Sequence, residues 1–339
     1  MIAFSSPPDV SDAALVAARD GAVACDLDSL HVLAIAGPDA TAFLQGQVSI
    51  DVARLASNAC RYASFNSPKG RVLANFVLWK DPAVADTFML LLPGELAQPI
   101  KKRFSMYVLR SKDTVNEVSE RTLRTGVGGP LGGDVVRRAL GGPPAAFQTM
   151  TTGDLTVLGL PGPRFVVIAA AEGAGAVRSE LLEAADQAPY GVWQWLTIRA
   201  GVPIVTAPTQ ELFVAQTLNL DILDGIDFQK GCYTGQEIIA RTQYLGRLKE
   251  RTLPFHVDAS AVTPGTRLWS PAFADQPCGT VVNAAVAPGG GSDLLAALQL
   301  AAAESGNVRL GAPDGPPLAA LPPPYALPAA LSESRGTTA

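Results

Sequence analysis

The chain has 339 residues, a mass of 35.2 kDa, and 26 Lys+Arg against 31 Asp+Glu, a formal net charge of −5. At roughly 100–200 residues per domain the length predicts two or three domains. With 48% hydrophobic and 17% charged residues, an intrinsically disordered chain is excluded. The negative balance gives no general attraction for nucleic acid or for an anionic membrane, and neither is expected as a direct partner. Mean hydropathy is +0.21, yet the longest apolar runs, such as Phe88 to Leu92 and Phe165 to Ala171, fall far short of the ~18 residues a span requires. The start, MIAFSSPPDV, carries no positive charge ahead of an apolar stretch, so a secretory signal is not expected. Cys25, Cys60, Cys232 and Cys278 include no CxxC pair. His31 and His256 supply no HExxH motif, and no GxSxG elbow is present. A reducing cytoplasm, no disulfide scaffold and no metal site are the expectations.

In chain order, Leu30 to Ala36 alternates and ends at Gly37, reading as a strand, and Pro38-Asp39 open a helix over ATAFLQGQ. Arg61–Ser64 and Arg71–Lys80 read as a hairpin about the turn Asn66-Ser67-Pro68-Lys69-Gly70. DTFMLLLP is a further strand, and Glu95 to Tyr107 is helical by its spacing. Residues 126–143 hold seven glycines and read as a loop or subdomain junction, although Leu131 breaks the GxGxxG template for a dinucleotide site. LTVLGL and RFVVIAA are strands around Pro161-Gly162-Pro163, followed by a helix over Ala176–Ala185. Trp193 to Ala200 is a helix closed by Gly201. Beyond Arg251 short alternating runs (LPFHV, TRLWS, GTVVNAAV, LLAALQL, VRL) suggest a small all-β barrel or sandwich, then a Pro-rich strap and loose tail. Strands and helices mix without regular alternation, so the fold class is α+β.

One window carries chemistry: Lys230-Gly231-Cys232-Tyr233-Thr234-Gly235-Gln236-Glu237, with Arg241 a turn further on. Thr234-x-x-Glu237 ahead of an apolar run is a capping-box pattern that predicts a helix N-cap at Thr234. Cys232 then precedes a helix N-terminus and follows Lys230 by two residues, and both neighbours favour the thiolate. Gly231 and Gly235 permit close backbone approach or unusual dihedrals. A cysteine is more often a small buried hydrophobe, and that reading is retained for Cys25, Cys60 and Cys278. Trp193 and Trp195, two apart on a helix, face different ways, so at most one can line a given wall.

KGCYTGQE resembles the signature of the YgfZ-type folate-binding proteins, a family linked to iron–sulfur cluster maturation or repair and related to the T-protein aminomethyltransferases of glycine cleavage. GPDATAFLQGQVSIDV, NSPKGRVLANF, the Trp193–Pro203 stretch and NLDILDGIDF resemble further landmarks in the same order, covering roughly residues 30–325. The resemblance implies two intertwined ferredoxin-like subdomains over residues 1–250, a C-terminal β-barrel over 251–326 and a loose tail over 327–339, arranged around a central hole. It implies a tetrahydrofolate ligand or a one-carbon derivative. Trp193 takes the position of a folate-contacting tryptophan, and Asn66, Asn75, Gln216, Tyr244 and Arg241 line the cavity by segment. Cys232 and Lys230 become the catalytic pair, beside Gly231, Tyr233, Gly235, Gln236 and Glu237. Iron–sulfur client or scaffold proteins are the implied partners of a monomer. Any cluster would be transient and shared, since one thiolate cannot hold it alone, and effects on tRNA modification would be indirect. Ala74-Asn75 stand where the aminomethyltransferases carry paired aspartates, which removes the carboxylate for general-base work. Arg199 stands where a pterin-recognising Glu is frequent, and a cation cannot accept the pterin amino group's hydrogen bonds. The alternatives are a folate-dependent one-carbon transferase and a folate-sensing binding module.

Overall fold

The computed structural model describes residues 10–108, 112–172, 174–244, 248–274 and 276–328. An N-terminal helix, α1 (Asp12–Asp20), is capped by the Ser11 side chain, which accepts from Ala14 N–H at 3.2 Å. The chain then runs through β1 (Val23–Asp26), β2 (Leu30–Ala36), α2 (Ala40–Gln45), β3 (Cys60–Asn66), β4 (Val72–Lys80), β5 (Thr87–Pro93), α3 (Gly94–Tyr107) and β6 (Thr114–Glu117). β2 to β6 close one antiparallel sheet in the order β3-β4-β5-β2-β6. Every β4 residue except Lys80 is buried, which explains why RVLANFVLWK reads as a continuous apolar run and not as an alternating one.

The second sheet interleaves with the first. It takes β1, leaves β2–β6 to the other sheet, and resumes with β7 (Thr122–Gly128), β8 (Thr149–Thr152), β9 (Leu155–Leu160), β10 (Arg164–Ala170) and β11 (Asp186–Ala188), in the order β11-β1-β7-β10-β9-β8. α4 (Gly132–Leu140) and α5 (Ala174–Ala184) lie against β7 and β10. The Gly-rich junction expected over 126–143 is therefore corrected: it is the end of a central strand followed by a helix. Gly126 is there for close packing, since a Cβ on it would meet the Trp193 ring at 2.6 Å, whereas Gly141, at φ +88, closes α4 in a left-handed cap.

α6 (Tyr190–Arg199) ties the two sheets to the C-terminal unit. Trp193 and Trp195 are both buried, but on different sides. Trp193 packs against β7, and Trp195 Nε1 donates to Asp293 Oδ2 at 2.9 Å. Gly201 ends the helix at φ +67, pressed by Pro324 and Tyr325 of the strap. After α7 (Gln236–Tyr244), a curled third sheet forms from β12 (Glu250–Val257), β13 (Arg267–Trp269), β14 (Gly279–Val286), β15 (Ser292–Gln299), β16 (Arg309–Leu310) and β17 (Ala319–Ala320), in the order β16-β13-β14-β15-β12-β17, with α8 (Leu300–Ser305) between β15 and β16. The strap is anchored where Tyr325 Oη donates to Gly201 O at 2.6 Å. Most of the expected tail, residues 329–339, lies outside the described residues. No helix among the described residues is long and apolar enough to cross a membrane.

Candidate functional site

Three segments far apart in sequence meet around the first turn of α7. The first is the turn after β3, closed by Gly70 N–H donating to Ser67 O at 2.8 Å with Gly70 at φ +69. The second is residues 45–49, just after α2. The third is residues 225–237. Ser49 Oγ donates to Gly225 O at 2.5 Å, and Asp227 N–H to Ser49 O at 2.9 Å. Gly235 sits at φ +81, where an added Cβ would meet Ser67 O at 2.6 Å and Asn66 Cβ at 3.2 Å. Gly70 in turn abuts Ile238 of α7. Glycine is required at both contacts by sterics and by backbone sign.

The helix begins at Gln236, two residues after the expected N-cap at Thr234. Instead of a Thr234–Glu237 capping box, Gln236 Oε1 accepts from Tyr233 N–H at 3.2 Å, and Glu237 is exposed. Cys232 is exposed in the loop ahead of it. Gly231 is also exposed, its φ is ordinary, and a Cβ there would meet nothing within 4 Å, so the expected conformational need holds for Gly235 alone. Lys230 is buried beneath the loop. Its Nζ donates to Gln45 O at 2.7 Å and Val48 O at 2.6 Å, 4.7 Å from the centre of the buried Tyr233 ring. Burial pulls its pKa down to about 8, against the opposing pull of Asp51 and Asp227. Among the described residues no hydrogen bond joins Lys230 to Cys232. The other three cysteines are buried, with Cys25 and Cys60 both pushed up to about 12 by desolvation.

The remaining predicted residues divide sharply. Asn66 is fully buried, yet neither Oδ1 nor Nδ2 has a partner; Ser64 Oγ, on the same face of β3, and Gln216 Oε1 are equally alone. Gln216 Nε2 donates to Ile239 O of α7 at 2.7 Å, so Asn66 and Gln216 both border α7. Asn75 is also buried but satisfied. It donates to Pro203 O and accepts from Val205 N–H, at 2.7 and 2.8 Å. Trp193 is 4% exposed, enclosed by Gly126 and by the Arg164 guanidinium 5.5 Å from its ring. Arg199 lies 3.6 Å from Asp293, which also meets His256 Nδ1 at 2.9 Å. Tyr244 is 67% exposed, edge-on to Phe228, and Arg241 is exposed a turn before it. Asn75 and Trp193 are thus structural in their contacts, and Arg199 ties α6 to the third sheet. Sequence reading missed Ser64, which sits within a continuously buried strand and gives no signal of its own. It also missed the carbonyls of Gln45 and Val48, which no side-chain pattern marks.

The family model for the GCVT N-terminal domain matches residues 7–188. The structure resembles the glycine cleavage system aminomethyltransferase T from Bartonella henselae with a TM-score of 0.74 at 16% identity, covering 93% of this chain and 89% of that one. The fold is therefore that of the T-protein aminomethyltransferases. Among curated proteins, tRNA-modifying protein YgfZ of Serratia proteamaculans is 33% identical over 235 residues, covering 66% of this chain and 67% of that protein. The same-named protein of Escherichia coli (strain K12 / DH10B) is 31% identical over 230 residues, covering 66% and 68%. The chain belongs to the YgfZ family.

Proposed function

We propose that the protein is a tetrahydrofolate-binding accessory factor for iron–sulfur cluster assembly or repair, acting through Cys232, with its effect on tRNA modification arising indirectly through cluster-dependent enzymes. The observation that carries this reading is the buried, unpartnered amide of Asn66 beside the thiol-bearing loop. A buried amide without partners costs on the order of 1–3 kcal/mol per group and calls for a ligand that supplies them. Asn66 offers the two donors of its NH2 group and a carbonyl acceptor, and Gln216 Oε1 offers a further acceptor. A pterin edge alternates donors and acceptors, so this set fits a folate. Asn75, whose amide is already occupied by Pro203 O and Val205 N–H, does not enter that set. Bound folate would supply a one-carbon carrier; the chain's own residues hold and orient it.

A cluster does not fit this chain as a resident cofactor. Cys232 is the one exposed cysteine, and no group of three or more His, Cys, Asp or Glu suited to a metal occurs among the described residues. Iron–sulfur proteins therefore enter as clients. T-protein-type aminomethyl transfer is disfavoured because Ala74-Asn75 supply no carboxylate and Asn75 is tied to Pro203 and Val205. Two measurements test the proposal. Tetrahydrofolate titration should show at least about tenfold weaker binding in Asn66→Ala, the loss of one or two hydrogen bonds in a dry site. In cells lacking the protein, Cys232→Ala should fail to restore iron–sulfur enzyme activity under oxidative stress. Full rescue by that variant would remove the thiol from the mechanism.

A further inference from the structure

Lys230 precedes Cys232 by two residues, and proximity in sequence casts it as the charge that keeps the thiol ionised. Its side chain goes elsewhere. The residue is 6% exposed, and its ammonium donates to Gln45 O, one of the carbonyls that α2 leaves without an intrahelical partner, and to Val48 O in the turn that follows. We infer that Lys230 is a positioning residue, whose ammonium ties the Cys232 loop to the turn after α2 and so sets where the thiol is presented. The inference rests on the reading of Cys232 as the functional thiol.

The loop is held from both sides of Cys232. On one side are the two Lys230 bonds; on the other, Thr234 N–H donates to Gly46 O at 3.3 Å. Between these anchors Gly231 and Cys232 are exposed, and nothing packs against Gly231. Gly231 and Cys232, with so little packing of their own, take their position from the residues on either side, Lys230 before them and, after them, the buried Tyr233 and then Thr234. An ammonium suits the task, because it brings donors and no acceptor, and charge-assisted bonds to carbonyls are stronger than neutral ones. The Tyr233 ring beneath adds a cation–π contact at 4.7 Å. Asp51 and Asp227 bias the site toward the cation without taking the carbonyls' place.

The test uses the full chain and two variants, Lys230→Met and Lys230→Arg. Two readouts are followed: hydrogen exchange at the Thr234 amide and iodoacetamide labelling of Cys232. In Lys230→Met exchange should rise at least about tenfold, the effect of losing even one of the two charge-assisted hydrogen bonds, while labelling is not slowed. Lys230→Arg keeps charge and donors, and should stay within about threefold of wild type. Labelling slowed about tenfold in Lys230→Met with unchanged exchange would overturn the inference in favour of direct thiol activation. Unchanged values in both readouts would overturn it as well, and so would an equal rise in both variants, which would make side-chain shape the cause. Should Lys230→Met fail to fold, a Lys230→Arg value within threefold supports the inference and a tenfold rise overturns it. Failure of the thiol reading is seen separately, as rescue by Cys232→Ala.

Discussion

Replacing Lys230 by Met should flatten the rise of stability with pH above neutrality. Burial lowers the folded-state pKa of Lys230 to about 8, against an ordinary lysine value of 10.5. The unfolded chain therefore binds more protons between these two values, and unfolding free energy rises with pH through that window. The stability is present above the unfolded pKa and lost as pH falls through the folded one. The interval from 10.5 down to about 8 converts to about 3 kcal/mol at full extent. Met has similar length and no proton, so its curve lacks this contribution. The change at neutral pH mixes two lost hydrogen bonds with the relief of a buried charge, which oppose one another. The slope isolates the proton. Guanidinium unfolding followed by tryptophan fluorescence, from about pH 7 to about pH 10, should show the wild-type-minus-variant difference growing by about 2–3 kcal/mol. Parallel curves would mean that the native-state pKa is not lowered, and would refute the argument that desolvation outweighs the carbonyl bonds and the two carboxylates.

Gly235→Ala should destabilise by about 2–4 kcal/mol, since it sets a Cβ against Ser67 O in a left-handed backbone; Gly231→Ala should stay within about 0.5 kcal/mol, and thermal unfolding separates the two. Asn75→Ala should cost about 2–4 kcal/mol by leaving Pro203 O and Val205 N–H buried and unpaired. Asn66→Ala should cost less than about 1 kcal/mol for the same truncation, because its amide has no protein partner; equal costs by chemical denaturation would contradict the assignment of these two amides. In the native protein one thiol per chain should label rapidly with a water-soluble alkylating agent, and peptide mapping should locate it at Cys232, the single exposed cysteine.

Local pattern made much of the fold legible. The β4 run, the Pro93-to-Tyr107 strand-to-helix boundary and the Gly201 helix stop all follow from apolar spacing and backbone preference, and each is present. β1 and β11 escaped notice because they are short and their pairing is non-local: β1 pairs with β7 and β11 across about a hundred residues or more. The 126–143 glycines misled for a related reason. Composition suggests a loop, but Gly126 exists to admit the Trp193 ring, a contact that no local window contains. The site divides in the same way. The KGCYTGQE segment identified the loop, and an exposed Cys232 agrees with a thiol that reagents can reach.

The arithmetic of length and charge, the absence of any long apolar run and the residue order of the motif are properties of the chain as written, and they narrowed the protein to an α+β family with one distinctive cysteine. Which buried side chains keep unused hydrogen-bonding capacity was decided by tertiary structure alone. Asn66 and Asn75 look alike in sequence, yet one faces no partner and the other joins β4 to the 203–205 segment. Lys230 stands two residues from Cys232, yet its ammonium follows the nearest free carbonyls instead of the nearest thiol. The reason is that desolvation makes every buried polar group depend on partners brought by distant segments. Sequence order ranks neighbours by chain position, whereas the energy ranks them by distance in the folded interior.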